Sequence, residues 1–326
     1  MKRVIKWTAI AIPVLLIAGI AVVVIGSYVE HRQLVAEEKA AYPAPGTLVE
    51  AADDEAKVHV YAEGSGDATL VFMAGFGTSS PFYDFKALFE QFTDDYRIAV
   101  VERAGYGWTD ISSRDRDIET VLAETRLALE RSGEAPPYVL FPHSMAGIEA
   151  LHWANTYPEE ILTVIGLDPL VPEYQLQTDE PLSLSRPLTF LARSGLMRNQ
   201  PDVCRDNVPA VAAGTLAGEH AEVACTIFFR RTFTPDMWNE ADALAGNAEL
   251  VAAQEASAVP FHAFISGEGE ELWVDVLTAH AVNRAGESFV LDAGHYVHVH
   301  EPERIAAESR PLIEASLNQA ALIGGR

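Results

Sequence analysis

Cysteine is nearly absent: the 326-residue chain holds only Cys204 and Cys225. Two are too few for a disulfide-built scaffold or a zinc-ribbon pattern. They leave two readings open, a disulfide formed in an oxidising compartment or a pair of buried thiols. Basic residues are scarce too, 23 Lys and Arg against 47 Asp and Glu, giving a formal net charge of −24. Low-complexity tracts and internal repeats are missing, which removes fibrous and solenoid architectures. Nowhere does a glycine-rich loop end in the Gly-Lys-Ser/Thr of a nucleotide-binding P-loop.

Charge is also absent from one long run. Lys2, Arg3 and Lys6 precede Trp7 to Val29, 23 residues without a charged side chain. At about 1.5 Å per residue, a helix of that length exceeds a hydrocarbon core of about 30 Å. Pro13 and Gly19 are compatible with a membrane helix. A cleaved signal peptide has a shorter apolar region, about 7–15 residues, closed by small residues. No Ala-x-Ala closes this run, so it reads as an uncleaved anchor. The preceding cations keep the N-terminus in the cytoplasm and put everything after Val29 outside. Those first 29 residues hold three cations and no acid, so the remainder carries −27. A globular part that acidic is a poor nucleic-acid binder and is repelled by anionic lipid. Solubility is the simplest account of its charge.

The pattern divides the chain into a cytoplasmic stub (1–6), an anchor (7–29), a linker (30–46) and a globular part. The linker reading rests on the charged stretch Glu30 to Lys39 and on Pro43-Ala44-Pro45-Gly46. Beyond it, short apolar runs alternate with helical spacing. Val58–Tyr61, Thr69–Met73, Arg97–Val101, Tyr138–Phe141, Leu162–Leu167, Phe261–Ser266 and Ser288–Asp292 read as strands. Ile118, Val121, Leu122, Thr125 and Leu129 fall on one helix face, stopped by Gly133 and Pro136-Pro137. Continuous apolar strands separated by helices predict an α/β fold with a mostly parallel, doubly wound sheet. The rhythm fails over 172–258, which predicts a helical cap inserted into a core of 47–171 and 259–326. Its place in the chain sets it over the carboxyl ends of the strands, where open α/β sheets bind ligands. The cap is rich in large apolar residues, among them Leu182, Leu184, Phe190, Leu191, Phe228, Phe229, Phe233 and Trp238. Most of these are expected to pack cap on core.

The chemistry centres on Phe141-Pro142-His143-Ser144-Met145-Ala146-Gly147. A serine on a tight turn between a buried strand and a helix needs small neighbours, and Pro142, Ala146 and Gly147 supply them. Proline removes a ladder donor, so strand pairing should have ended by Pro142. Serine needs a base, and the base an orienting partner. His143 is adjacent and leaves the turn on another side, whereas His295 follows the last predicted strand and a glycine. For the acid, Asp168 stands directly after the neighbouring strand, ahead of Pro169. Glu268 and Glu270, after the next strand, are the alternative. The order Ser, Asp, His is the one this topology expects. Backbone N–H groups of Phe76 and Met145 are the candidate oxyanion donors. Histidines 295, 298 and 300 raise a metal reading, with two of them on one strand face, but no Glu-containing zinc motif accompanies them.

Four segments in order carry a resemblance. "AGFGTSS", "ERAGYGWTD", "PHSMAG" and "DAGHYVHVHEP" resemble the oxyanion loop, the following Asp-Arg-x-Gly-x-Gly segment, the nucleophile elbow and the terminal histidine segment of α/β-hydrolases of the esterase, lipase and haloperoxidase-like kind. Departures are Ala74 for the usual histidine, Glu102 for aspartate, and Pro142 and Ala146 for the elbow glycines. "GLDPLVP" is similar to the acid segment of pancreatic-type lipases, which favours Asp168. The resemblance runs from about residue 47 to the C-terminus and is weakest over the cap. It implies an α/β-hydrolase fold and a serine hydrolase acting on a small acyl substrate, which the N-terminal run is expected to anchor in the membrane with its catalytic part outside the cytoplasm. Such an enzyme needs neither cofactor nor metal. Haloalkane dehalogenases and epoxide hydrolases share the fold but use aspartate as nucleophile. A proline-specific aminopeptidase and a non-catalytic binding or sensor protein on the same fold are the rival readings.

Overall fold

A computed structural model describes residues 2–51, 56–112, 114–178, 181–182, 184–200 and 202–324. In the first and last helices its side chains are described from Ile10 and to Leu322, so those of Lys2, Arg3, Lys6 and Trp7 lie outside the described set. In chain order the elements are α1 (Lys2–Ala41), β1 (Thr47–Glu50), β2 (Lys57–Glu63), β3 (Thr69–Met73), α2 (Pro81–Phe89), β4 (Arg97–Glu102), α3 (Ile118–Ser132), β5 (Tyr138–Pro142), α4 (Ala146–Thr156) and β6 (Ile161–Leu167). The cap follows as α5 (Pro172–Thr178), α6 (Arg186–Arg193), α7 (Asp202–Asn207), α8 (Pro209–Ala212), α9 (Gly218–Arg231) and α10 (Pro235–Ala252). The chain closes with β7 (Phe261–Ser266), α11 (Glu271–Asn283), β8 (Ser288–Leu291), α12 (Val297–His300) and α13 (Pro302–Gly324).

The sheet order is β1-β2-β4-β3-β5-β6-β7-β8. β1 and β2 pair antiparallel, and β3 to β8 run parallel. Every residue of β3, β5 and β7 is buried, as strands covered on both faces must be. Period-2 alternation divides them between two cores. Val71, Met73 and Leu140 face the side of α3, α4 and α11, while Leu70, Phe72 and Phe141 face α2 and α13. From β3 the chain steps to β4 on one side and then to β5 on the other, so the ends of β3 and β5 flank the switch point of the sheet. α3 shows why such helices end where they do. Asp117 accepts a hydrogen bond from Thr120 N–H, and Gly133 takes φ 89° past the last turn.

The expected linker 30–46 is largely helix: α1 continues to Ala41. Between Gly26 and Pro43 the chain has neither glycine nor proline, and Glu, Lys, Arg, Gln, Leu and Ala there all favour helix. The extension is also held from outside. Arg198, in the cap, donates to both oxygens of Glu38 at 2.7 and 2.9 Å and to His31 Nδ1 at 2.9 Å. Trp108 Nε1 donates to Tyr42 O at 3.0 Å. Ahead of this docked half, α1 is long and apolar enough to cross a membrane, and side chains such as Leu15 and Val22 are about 70% exposed. Cys204 and Cys225 form a disulfide joining α7 to α9.

His262 on β7 offers a test of this packing. It is buried, and its Nδ1 accepts from Glu287 N–H at 3.0 Å. Burial pulls its pKa from 6.5 down to about 4. Between those values the unfolded chain binds more protons, so stability is full above pH 6.5 and falls as the pH drops toward 4. His262→Asn keeps an acceptor and removes the titration. Urea unfolding at pH 7 and pH 4 should show wild type losing on the order of 3 kcal/mol more than the variant. Equal pH slopes would contradict the burial argument.

Candidate active site

Ser144 sits at φ 51°, the left-handed region that side chains avoid. The turn is forced by two hydrogen bonds, His143 N–H to Met73 O on β3 at 2.9 Å and Ser144 N–H toward Leu167 O on β6 at 3.4 Å. Pro142 is still paired with Met73 of β3, so the strand does not stop before it, contrary to expectation. Its missing N–H falls on the β6 side, where the register breaks after Leu140 and resumes at the His143–Leu167 bridge. The proline leaves a gap in that ladder while the β3 side stays paired. Gly75 lies against the elbow. A Cβ there would stand 2.8 Å from both Ser144 Cβ and His143 Nδ1, so only glycine fits.

From this elbow Ser144 Oγ reaches His295 Nε2 at 2.9 Å, and His295 Nδ1 reaches Asp168 Oδ2 at 2.6 Å. A carboxylate oxygen accepts, so Nδ1 carries the proton and Nε2 is left to accept from the serine hydroxyl. Asp168 is 1% exposed and also held at φ 49°. Its other oxygen, Oδ1, accepts from Ser266 N–H at 2.8 Å and Trp273 Nε1–H at 2.7 Å. Glu268 and Glu270 are exposed on the rim of the same cavity, and among the described residues Asp168 is the carboxylate that bonds His295. Ser266 and Trp273 lie outside the set of residues expected at the site. A tryptophan on the helix after β7 carries no sequence mark of pointing back to the residue that follows β6.

His143 is fully buried and lies tilted against His295, with ring centroids 4.7 Å apart. Its Nε2 donates to His295 O at 3.2 Å. Burial, with His298 and His295 beside it, keeps its pKa well below the ordinary value, so it stays neutral. The metal reading does not hold in its expected form. His298 and His300 lie on the helical turn α12, not on a strand. His298 pairs with Asp84 at 2.9 Å, His300 is exposed, and His295 faces Ser144. Asp84, His143 and His298 do gather together. Within that buried group Asp84 and His298 bond each other directly.

The N–H groups of Phe76 and Met145 have no backbone partner among the described residues. The loop that carries Phe76 is tied down from below. Buried Arg103 donates to Ala74 O and, through Nε at 2.8 Å, to Glu240 of cap helix α10. Burial alone would lower the Arg103 pKa; Glu240, with Tyr106 and Glu149, outweighs it and raises it. Tyr106 donates to the same Glu240 at 2.5 Å and accepts from Gly77 N–H at 3.2 Å. One carboxylate of the cap thus holds two residues that hold the loop. The cavity above Ser144 has a volume of about 460 Å³, with Leu170, Tyr174, Leu182 and Trp273 among its walls.

Residues 70–308 match the sequence profile of the Alpha/beta hydrolase family. The chain belongs to that family. Over 239 residues it is 38% identical to the uncharacterized protein YbdG of Bacillus subtilis strain 168, a match that covers 72% of each chain. Among solved structures, epoxide hydrolase VrEH1 from Vigna radiata superimposes with a TM-score of 0.65 at 17% identity, covering 82% of this chain and 97% of that one. A thermophilic esterase from Thermogutta terrifontis gives 0.55 at 20% identity, covering 83% and 99%. At those identities the likeness is one of fold, and the eight-stranded sheet and cap of this alpha/beta hydrolase are what it reflects.

Removing the Glu240 carboxylate leaves Arg103 buried without its main partner. Glu240→Ala is expected to cost about 3–5 kcal/mol, because an uncompensated buried charge remains. Chemical unfolding of wild type and variant reads this directly. A loss below about 1 kcal/mol would mean that Glu149, 3.8 Å from Arg103, takes over the pairing.

Proposed function

We propose that this hydrolase cleaves an ester or related acyl bond through a covalent serine intermediate. The observation that carries the reading is the continuous path Ser144 Oγ, His295, Asp168 on a strained elbow. Ser144 Oγ attacks the acyl carbon while its proton passes to His295 Nε2. Phe76 and Met145 N–H groups receive the developing oxyanion. Collapse breaks the bond to the leaving group, which takes the proton from His295. Water then gives a proton back to His295, attacks the acyl-enzyme and releases the carboxylic acid and Ser144. Asp168 fixes the imidazole tautomer throughout. Epoxide opening fits poorly: a serine attacking an epoxide forms an ether, which water cannot cleave in a second step.

Glu268 and Glu270 at the rim favour a second reading, cleavage next to a substrate's free amine as in an aminopeptidase, since their charge attracts a cation. We read α1 as a membrane anchor with the catalytic part outside the cytoplasm. Its uncharged run supports this, as does the Cys204–Cys225 disulfide, a bond of oxidising compartments.

A fluorophosphonate probe should label Ser144 in the full chain, and peptide mapping identifies the modified residue. No labelling of a folded protein would favour the non-catalytic rival. Ser144→Ala should lower p-nitrophenyl ester turnover by at least roughly 10³-fold. Asp168→Asn should lower kcat by roughly 10³–10⁴-fold, since the amide cannot hold the imidazole in the tautomer that accepts the serine proton. Glu268→Gln and Glu270→Gln should stay near wild type on neutral esters. Their selective loss on prolyl p-nitroanilide would support the aminopeptidase reading.

A further inference from the structure

In a chain of net charge −24, one cavity is lined by cations. It has a volume of about 290 Å³ and lies between α1 and the cap, away from Ser144. Arg32 and Lys39 of α1, Arg193 of α6, and Arg230 and Arg231 at the end of α9 line it. Arg231 is buried, Arg230 half-buried, and the other three are exposed. Among the described residues none of the five forms an ion pair. Arg231 donates to the carbonyls of Gly107 and Thr109, and Arg230 to Gly107 O at 3.2 Å, while Arg230 Nε is buried with no partner.

The carboxylates that act on these arginines are engaged elsewhere. Glu38 is held by Arg198, and Glu102 by His59 at 2.9 Å. Asp110 accepts from Lys57 N–H at 3.2 Å, and Asp236 from Ser112 N–H at 3.4 Å. Burial first, then the neighbouring Arg230 charge, pulls Arg231 down to about 10, and burial lowers Arg230 as well. A cluster of like charges that repel one another, with no carboxylate in direct contact among the described residues, is suited to receive an anion.

The surroundings indicate which anion. Arg32 follows Val29, the end of the uncharged run, by three residues, about 4.5 Å along the helix. That is the depth of a headgroup layer, since headgroups add about 5–8 Å per leaflet to the hydrocarbon core. Leu196, just after α6, lines one apolar groove together with Val23 and Val24 of the apolar run. On α6 itself Leu188, Phe190 and Leu191 are exposed, an apolar face beside the basic Arg193, as on helices that lie in a membrane surface.

From this cavity, its unpaired cations and its depth, we infer a binding site for the phosphate of an anionic membrane lipid, at the junction of α1 and the cap. The inference rests on the reading of α1 as a membrane anchor and is independent of the ester chemistry. Locally it reverses the expectation that so acidic a protein is repelled by anionic lipid.

The test uses the full chain in nanodiscs of phosphatidylcholine, with or without phosphatidylglycerol, followed by thermal unfolding. Phosphatidylglycerol should raise the Tm by about 3 °C or more, as a ligand of the folded state does. Arg32 and Arg193 make no hydrogen bond among the described residues, so the double variant Arg32→Gln, Arg193→Gln should fold. Without anionic lipid it should be at least as stable as wild type, having lost repulsion, and it should lose most of the phosphatidylglycerol shift. A shift that survives in the variant, or none in wild type, overturns the site. A rise with inorganic phosphate at matched ionic strength but none with phosphatidylglycerol overturns the lipid as its source. Alkaline carbonate extraction of cell membranes reads the anchor separately. Release of the chain there overturns the anchor and with it the lipid, and the inorganic phosphate arm still reports on the cavity.

Discussion

The buried guanidinium of Arg103 is the point on which the catalytic face depends. It lies beneath the loop that follows β3, takes that loop's Ala74 carbonyl, and meets the carboxylate of Glu240 from the cap. Two ions removed from water are tolerated only when their remaining hydrogen-bonding positions are filled, and here Tyr106 and the loop fill them. Core, loop and cap therefore cannot be arranged independently. A shift of α10 draws on Arg103 and Tyr106 together, and both reach the segment that carries Phe76. The cap is part of the machinery that sets the loop's position.

The elbow and the acid show a complementary economy. Ser144 and Asp168 both stand at positive φ, just past buried strands that lie side by side. Strain at such positions persists only where the surroundings over-determine it. Ladder bonds from β3, β6 and β7 do so here, through His143 N–H, Ser144 N–H and Asp168 N–H. Asp168 is further fixed by Ser266 and Trp273, so the imidazole turns against a carboxylate that cannot swing.

Much of this is legible in the sequence because it is written in local terms. Buried parallel strands are continuous apolar runs, and a serine among small residues after such a run marks a strand-to-helix turn. Chain order then brings Ser144, Asp168 and His295 to one sheet edge. What is not legible depends on pairs far apart in the chain. Trp273 and Asp168, or Arg103 and Glu240, have partners that no spacing rule connects. The stretch after Val29 reads as linker because it is charged, yet charge is compatible with helix, and its docking through Glu38 and Arg198 needs both partners in view. The histidines after β8 show the same limit. Their alternation suggests a strand, but the chain turns at Gly294 and rewinds as a short helix, sending His298 toward Asp84.

The docking of α1 has a geometric corollary. A flexible tether would let a catalytic domain roam and tumble above the bilayer. Here the helix that leaves the apolar run is clamped by Arg198 and by Trp108, so it acts as a rigid handle. Were that handle set in a bilayer, the cavity above Ser144 would keep one height and one bearing relative to the lipid plane. A substrate would then have to reach a mouth fixed in space, and access would be a matter of a two-dimensional address as much as of chemical fit.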